Sequence, residues 1–277
     1  MSLVATILGC GSSGGVPRIG PDWGACDPSE PKNRRRRCSL LVERIGTAGT
    51  TRILVDTSPD LREQLIDAQV GMLDAVLITH EHADHTHGID DLRPVAINTR
   101  RRVPVHMDER TSRLMHARFG YCFATPPGSS YPPILEDIRI VPGREIRIDG
   151  AGGPITALPY LHEHGDIPAL GFRFGGLAYS PDLSALPEDS EALLADLDIW
   201  IVDALRERPH PSHLTVEQAL ALIERVRPRR AVLTNMHVDL DYSTLGARLP
   251  PTVEPAFDGM RVTFVGHEMP ATAEAAR

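Results

Sequence analysis

"AVLITHEHADHTHG", residues 75–88, governs how the rest of the chain is read. An apolar, β-branched run, Ala75 to Thr79, reads as a strand and then delivers His80, His82, Asp84 and His85 within six residues. In an extended segment residues i and i+2 point the same way, so His80 and His82 can grip one ion together. Asp84 continues that phase. His85 breaks it and so can serve a second ion beside the first. Neutral imidazole with carboxylate suits zinc, and also manganese or iron. A polar loop with coincidental histidines would not stack so many ligand types at this spacing.

Outward from this motif, strand signals recur as short β-branched runs at residues 4–8, 39–43, 52–56 and 103–107. They continue at 138–141, 145–148, 155–159, 170–174, 177–180, 199–203, 231–234 and 260–264. Helical patterns fall at 61–68, 109–119, 188–196 and 215–225. The last is the clearest: Val216, Ala219, Leu220 and Ile223 share one face, and Thr215 with Gln218 reads as a capping box. The Pro/Gly-rich segment 124–133 reads as a surface loop or as a lid. With no linker and no repeat, residues 1–277 are expected to form one α/β domain of two mixed sheets with helices outside.

The bulk numbers narrow the function. The chain has 277 residues, a net charge of -8, 42% hydrophobic and 24% charged residues. The acidic balance argues against a large nucleic acid as partner. Arg34 to Arg37 are a local exception, read as a solvated loop or a phosphate-facing patch. Four cysteines without a CxxC pair do not make a disulfide scaffold. No run approaches a membrane span, and the expected location is cytoplasmic.

The HxHxDH pattern after an apolar strand resembles the metallo-β-lactamase superfamily. That resemblance implies a four-layer αββα sandwich with two divalent metal ions, zinc or manganese with iron also possible, at one edge. It also implies that further ligands follow later strands. "LPYLHEHGDIPALGF" offers His162 and His164, and His164 is the expected ligand because "HG" leads straight into the next strand. "AYSPD" offers Asp182 as the bridging aspartate, and "AVLTNMHVD" offers His237. Many relatives read "LTH" in this last motif. Here Asn235 holds that position, and His237 two residues on is expected to substitute for it by i+2 geometry. The implied set is His80, His82 and His164 for one metal and Asp84, His85 and His237 for the other, with Asp182 between. Asp56, ending "RILVD", is expected to orient a histidine rather than bind metal.

The stretch "IVDALRERPHPSHLTVEQAL", residues 201–220, resembles the phosphodiesterase branch, which includes RNase Z and the cyclic-phosphate phosphodiesterase of phosphonate breakdown. Asp203 and His213 fill the places of an acidic residue and a general acid, with His210 a rival. A leaving alkoxide has a high pKa and needs a proton, which explains the pair. The implied activity is two-metal hydrolysis of a small cyclic or nucleotide-like phosphodiester. Hydroxide on the metals attacks, Asp84 helps orient it and His213 protonates the leaving oxygen. The alternatives are a thiolester or lactone hydrolase, an RNase Z-type nuclease and a non-catalytic metal- or nucleotide-binding module. A homodimer is compatible with the sequence. The cysteine knuckle that binds a structural zinc in the phosphonate enzyme is represented here by Pro21, Trp23 and Cys26, so no such zinc is expected.

One rival signal remains. Gly9, Gly11 and Gly14 make a GxGxxG spacing after the first strand. A dinucleotide turn opens directly into a helix, and Pro17, Pro21 and Pro28 forbid one here. The loop is expected instead to reach the metal edge, with Ser12 and Ser13 near the substrate.

Overall fold

The computed structural model describes residues 2–266. In chain order the elements are β1 (Ser2–Gly9), β2 (Ser39–Gly46), β3 (Gly49–Val55), α1 (Leu61–Asp67), β4 (Ala75–Leu77), α2 (Ala83–Thr86) and α3 (Arg93–Thr99). There follow β5 (Val103–Met107), α4 (Glu109–Phe123), β6 (Leu135–Arg139), β7 (Ile146–Ile148), β8 (Ile155–His164), β9 (Ile167–Phe174) and β10 (Leu177–Ser180). The last group is α5 (Glu188–Ala192), β11 (Ile199–Asp203), α6 (Val216–Val226), β12 (Arg230–Thr234), α7 (Tyr242–Gly246), β13 (Val253–Pro255) and β14 (Arg261–Val265).

These strands form two seven-stranded sheets, ordered β14-β1-β2-β3-β4-β5-β6 and β13-β12-β11-β10-β9-β8-β7. Each is mixed. In the first, β14, β1, β2 and β3 pair antiparallel and β3 to β6 pair parallel. In the second, β7 to β10 pair antiparallel and β10 to β13 parallel.

Strand alternation sorts the side chains into layers. Leu40, Val42, Ile53, Val55 and Leu77 of the first sheet join Phe172, Phe174, Ile199 and Ile201 of the second in one core. Their neighbours Leu41, Leu54 and Val76 point the other way, into a second core with Leu61, Leu65, Val95 and Met115 of the helices. Each large apolar side chain so buried contributes roughly 1.5–3 kcal/mol. Helix α6 covers the outer face of the second sheet through Val216, Ala219, Leu222 and Ile223, and its capping box is formed as expected. The expected αββα sandwich is therefore the fold.

Several elements differ from expectation, among them one strand end and two unread elements. Strand β8 does not stop at Pro159 but runs to His164, because it folds back on β9 in a hairpin with Gly165 at φ +60. Strand β13 has no counterpart in the sequence reading; it is three residues long and ends in proline, too short to show a period. Helix α3 was also unread, since it starts at Arg93-Pro94 behind a 3-10 turn rather than at a side-chain cap. The segment 124–133 is a loop closed by Thr125 donating to the Tyr131 carbonyl. Among the described residues no helix is long and apolar enough to cross a membrane.

Candidate metal centre

The C-terminal ends of strands from both sheets meet at one edge. Strand β4 ends before Thr79-His80, β8 at His164, β10 before Asp182, β11 at Asp203 and β12 before Asn235. Short α2 starts after His82 and carries Asp84 and His85. Its helical turn, rather than an extended run, is what puts His85 on a different side from His80 and His82.

Two groups of ligand atoms come together, each within 4.8 Å: His80, His82, His164 and Asp182 in one, Asp84, His85 and Asp182 in the other. Asp182 lies between them. Its Oδ1 is 3.2 Å from His85 Nε2, and its Oδ2 is 3.4 Å from His164 Nε2 and 3.7 Å from His80 Nε2. His82 Nδ1 is 3.1 Å from His164 Nε2.

The far ring nitrogens are held from behind. His85 Nδ1 donates to Asp56 Oδ2 at 2.7 Å, and His164 Nδ1 to the Ser212 carbonyl at 2.7 Å. His80 Nδ1 lies 3.0 Å from the Thr79 hydroxyl, which itself donates to Asp56. Asp56 also accepts the Thr79 backbone N–H at 2.8 Å. These bonds fix the tautomer that leaves Nε2 of all three rings with a free lone pair.

The donor set fits a divalent pair. His80 Nε2, His85 Nε2 and Asp182 Oδ1 are buried with no hydrogen-bond partner. Left without a cation, such atoms would cost about 1–3 kcal/mol each. Among the described residues, every ion-pair partner of Asp56, Asp84 and Asp182 is a histidine. Burial pushes His80 well below the ordinary histidine range and lowers His164, so both are neutral. Burial also opposes charge on His85, but Asp182, Asp56 and Asp84 outweigh it and hold its proton affinity well above normal. The site calls for positive charge, which bound cations supply.

Beside this cluster, His213 Nδ1 lies 2.9 Å from Asp203 Oδ2. Asp203 is fully buried and also accepts the Leu183 and Leu214 backbone N–H groups at 3.0 and 3.4 Å, and Asn235 Nδ2 at 3.2 Å. Burial works against a charged His213, but the Asp203 carboxylate overcomes it and lifts the imidazole to about 9. The His213 ring is 4.7 Å from that of His164. A cavity of about 300 Å³ opens here, lined by Ser12, Ser13, Asp84, His213, Arg18 and Arg206 among others.

The expected residues thus converge, with one exception. His237 joins neither ligand group. The i+2 argument assumed extended backbone, but Asn235 turns left-handed at φ +59. His237 then faces Asp239, Nδ1 to carboxylate 3.0 Å, at the rim of the same cavity. His162 is buried on the same strand face as His164 but stops one pair of residues short of the edge. His210 lies beside His213 with the rings tilted at 48° and their centroids 5.0 Å apart, and its Nδ1 is 3.2 Å from the Ser212 hydroxyl.

Three of the four arginines of the run are held by partners within the fold, while Arg34 is exposed. Arg36 pairs with Asp258 and Asp67, Arg37 with Asp60, and Arg35 is buried against Asn33 and the His237 carbonyl. The glycine loop packs against this run: a Cβ at Gly9 would fall 2.0 Å from the Arg37 carbonyl. Arg18 and Arg206 on the cavity wall and Thr79 behind the ligands were not singled out in the sequence, and only Thr79, inside the ligand motif, carried a local signal. Asn235 was read only as the residue standing at a ligand position, without its bond to Asp203.

Comparison with known proteins agrees with this geometry. The beta-lactamase superfamily domain matches residues 51–236. A crystal structure of a diphosphatase from the PhnP family superposes with a TM-score of 0.85 at 34% identity, covering 95% of this chain and 98% of that one. An octanoyltransferase of Porphyromonas gingivalis is 34% identical over 259 residues, 92% of this chain and 50% of its own length. A ribonuclease Z of Methanopyrus kandleri is 28% identical over 151 residues, 52% of this chain and 45% of its own length. The chain spans about half the length of these curated relatives.

Proposed function

The chain belongs to the metallo-β-lactamase superfamily, whose domain covers residues 51–236, and from that premise we propose that it is a metal-dependent phosphodiesterase acting on a small phosphodiester. The observation that carries this reading is the Asp203–His213 pair, 2.9 Å apart, beside the ligand cluster. A protonated imidazole held at such an edge is a proton donor for an oxygen leaving group.

His80, His82, His164 and Asp182 would hold one divalent ion, and Asp84, His85 and Asp182 the other. Bound there, the pair would neutralise charge on the phosphoryl oxygens and make water nucleophilic at neutral pH. The chain's own residues do the rest. Asp84 lines the cavity and accepts a hydrogen bond from the attacking water. Asp203 keeps the His213 ring oriented, and His213 Nε2 gives its proton to the departing alkoxide. Ser12 and Ser13 line the same cavity, where their hydroxyls can donate to the phosphate.

The cavity volume favours a cyclic or nucleotide-like diester over a large RNA. The likeness to a PhnP-family diphosphatase supports phosphate chemistry at this edge. The name octanoyltransferase describes a protein about twice the length of the matched region, and nothing in the cavity singles out acyl transfer.

The test is hydrolysis of bis-p-nitrophenyl phosphate, and of a panel of cyclic and linear diesters, by metal-loaded protein, against a thiolester. A thiolate leaves without a proton, so preference for the thiolester would reject the role given to His213 and with it the reading.

A further inference from the structure

The two ligand groups are unequal. The first offers four donors, three imidazoles and one carboxylate; the second offers three, two carboxylates and one imidazole, and shares Asp182 with the first. A fourth donor for the second group is expected from the end of β12. Asn235 stands there, buried: its Nδ2 donates to Asp203 Oδ1 at 3.2 Å and lies 3.0 Å from His213 Nδ1, and its Oδ1, 4.0 Å from Cys38 Sγ, offers a metal only a neutral amide oxygen, a weaker donor than imidazole. His237, the next candidate, is turned to Asp239. Cys38, also nearby, has its Sγ 3.5 Å from the Gly11 carbonyl and joins neither ligand group.

From this we infer that Asn235 splits the centre into a tight site on His80, His82, His164 and Asp182 and a weak, exchangeable site on Asp84, His85 and Asp182. The inference rests on the metal-dependent reading above and deepens it. The first set, rich in neutral imidazole and largely buried, suits zinc. The second is rich in carboxylate, and its Asp84 is partly exposed on the cavity wall. Such a set suits a harder cation such as manganese or magnesium, which keeps part of its water shell. Asn235 has given up a ligand place to complete the Asp203 carboxylate, which takes two backbone N–H bonds, the His213 ring and this amide. One tight cation therefore resides in the protein, and the second is drawn from solution.

The test is metal stoichiometry, read independently of turnover. Chelator-stripped protein is titrated with zinc and with manganese against a chromophoric chelator, and metal retained after gel filtration is counted. Wild type should keep one equivalent of zinc, with the second bound at least about 100-fold more weakly. Asn235→His should retain two; histidine tolerates the left-handed backbone at this position better than most residues. Asp84→Asn should abolish the weak equivalent and leave the tight one, which keeps the test decisive if the first variant fails to fold. Two equivalents of equal affinity in wild type, or loss of the tight equivalent in Asp84→Asn, would overturn the inference. Retained diester hydrolysis in that case would leave the phosphodiesterase reading standing, whereas protein that binds no metal would sink both.

Discussion

His213 reaches Asp203 across ten residues of chain, Nδ1 to Oδ2 2.9 Å, with the carboxylate fully buried and the imidazole edge open to the cavity. The acid is thus anchored on the floor of the second sheet and exposed only where a substrate would lie. This arrangement makes the contribution of His213 depend on how badly the leaving group needs a proton.

His213→Ala is therefore expected to lower kcat/KM by about 10²–10⁴ for an alkyl leaving group. The loss should be much smaller for p-nitrophenolate, which departs unaided. Bound metal should be unchanged. Steady-state kinetics on a leaving-group series, with metal analysis of the same samples, checks this; an equal loss for every leaving group would remove the acid role.

Asp56 touches the cluster only through His85 and Thr79. Asp56→Asn keeps the shape but exchanges an acceptor for a donor toward the His85 ring. Metal affinity should fall about 10–100-fold. Competition with a chelator of known affinity measures it, and unchanged affinity would show that His85 needs no support.

Metal removal should destabilise the fold as well as stop turnover, because the carboxylates and orphaned ring nitrogens remain buried without a cation. A ligand present at about a thousandfold over its dissociation constant contributes roughly 4 kcal/mol. The melting temperature is then expected to drop by about 10 °C on chelation. Calorimetry with and without chelator, followed by re-addition of zinc, tests reversibility.

Asp241 gives a pH signature away from the site. It caps α7 through the Thr244 N–H and also accepts from Asn33 and the Asp27 backbone. Burial would raise its pKa, but these donors outweigh burial and hold the carboxyl down at about 2. A depressed carboxylate stabilises the fold above its unfolded pKa, near 4, and loses that contribution as pH falls toward 2. Asp241→Ala should cost about 1–2 kcal/mol at pH 7. Urea denaturation of both proteins from pH 7 to pH 3 should show the gap narrowing; a gap that widens in acid would reverse the sign.

What the sequence determined by itself was the edge chemistry. A strand is a local pattern, and a ligand two residues on is a local spacing, so His80, His82, Asp84 and His85 could be placed from the chain alone, whereas Asp182 was placed by the family resemblance. The recurrence of short β-branched runs with helical patterns between them likewise pointed to two sheets with helices outside. Tertiary structure decided wherever a rule of extended backbone met a turn or a distant partner. His162 and His164 have equal phase on β8, and only the hairpin end and the Ser212 carbonyl, 48 residues away, single out His164. His237 was expected in the cluster because i+2 residues share a side, but the left-handed turn at Asn235 breaks that alternation. Asn235, legible in the sequence only as a residue at a ligand position, acquires its partner only when β11 and β12 lie side by side and bring Asp203 beneath it.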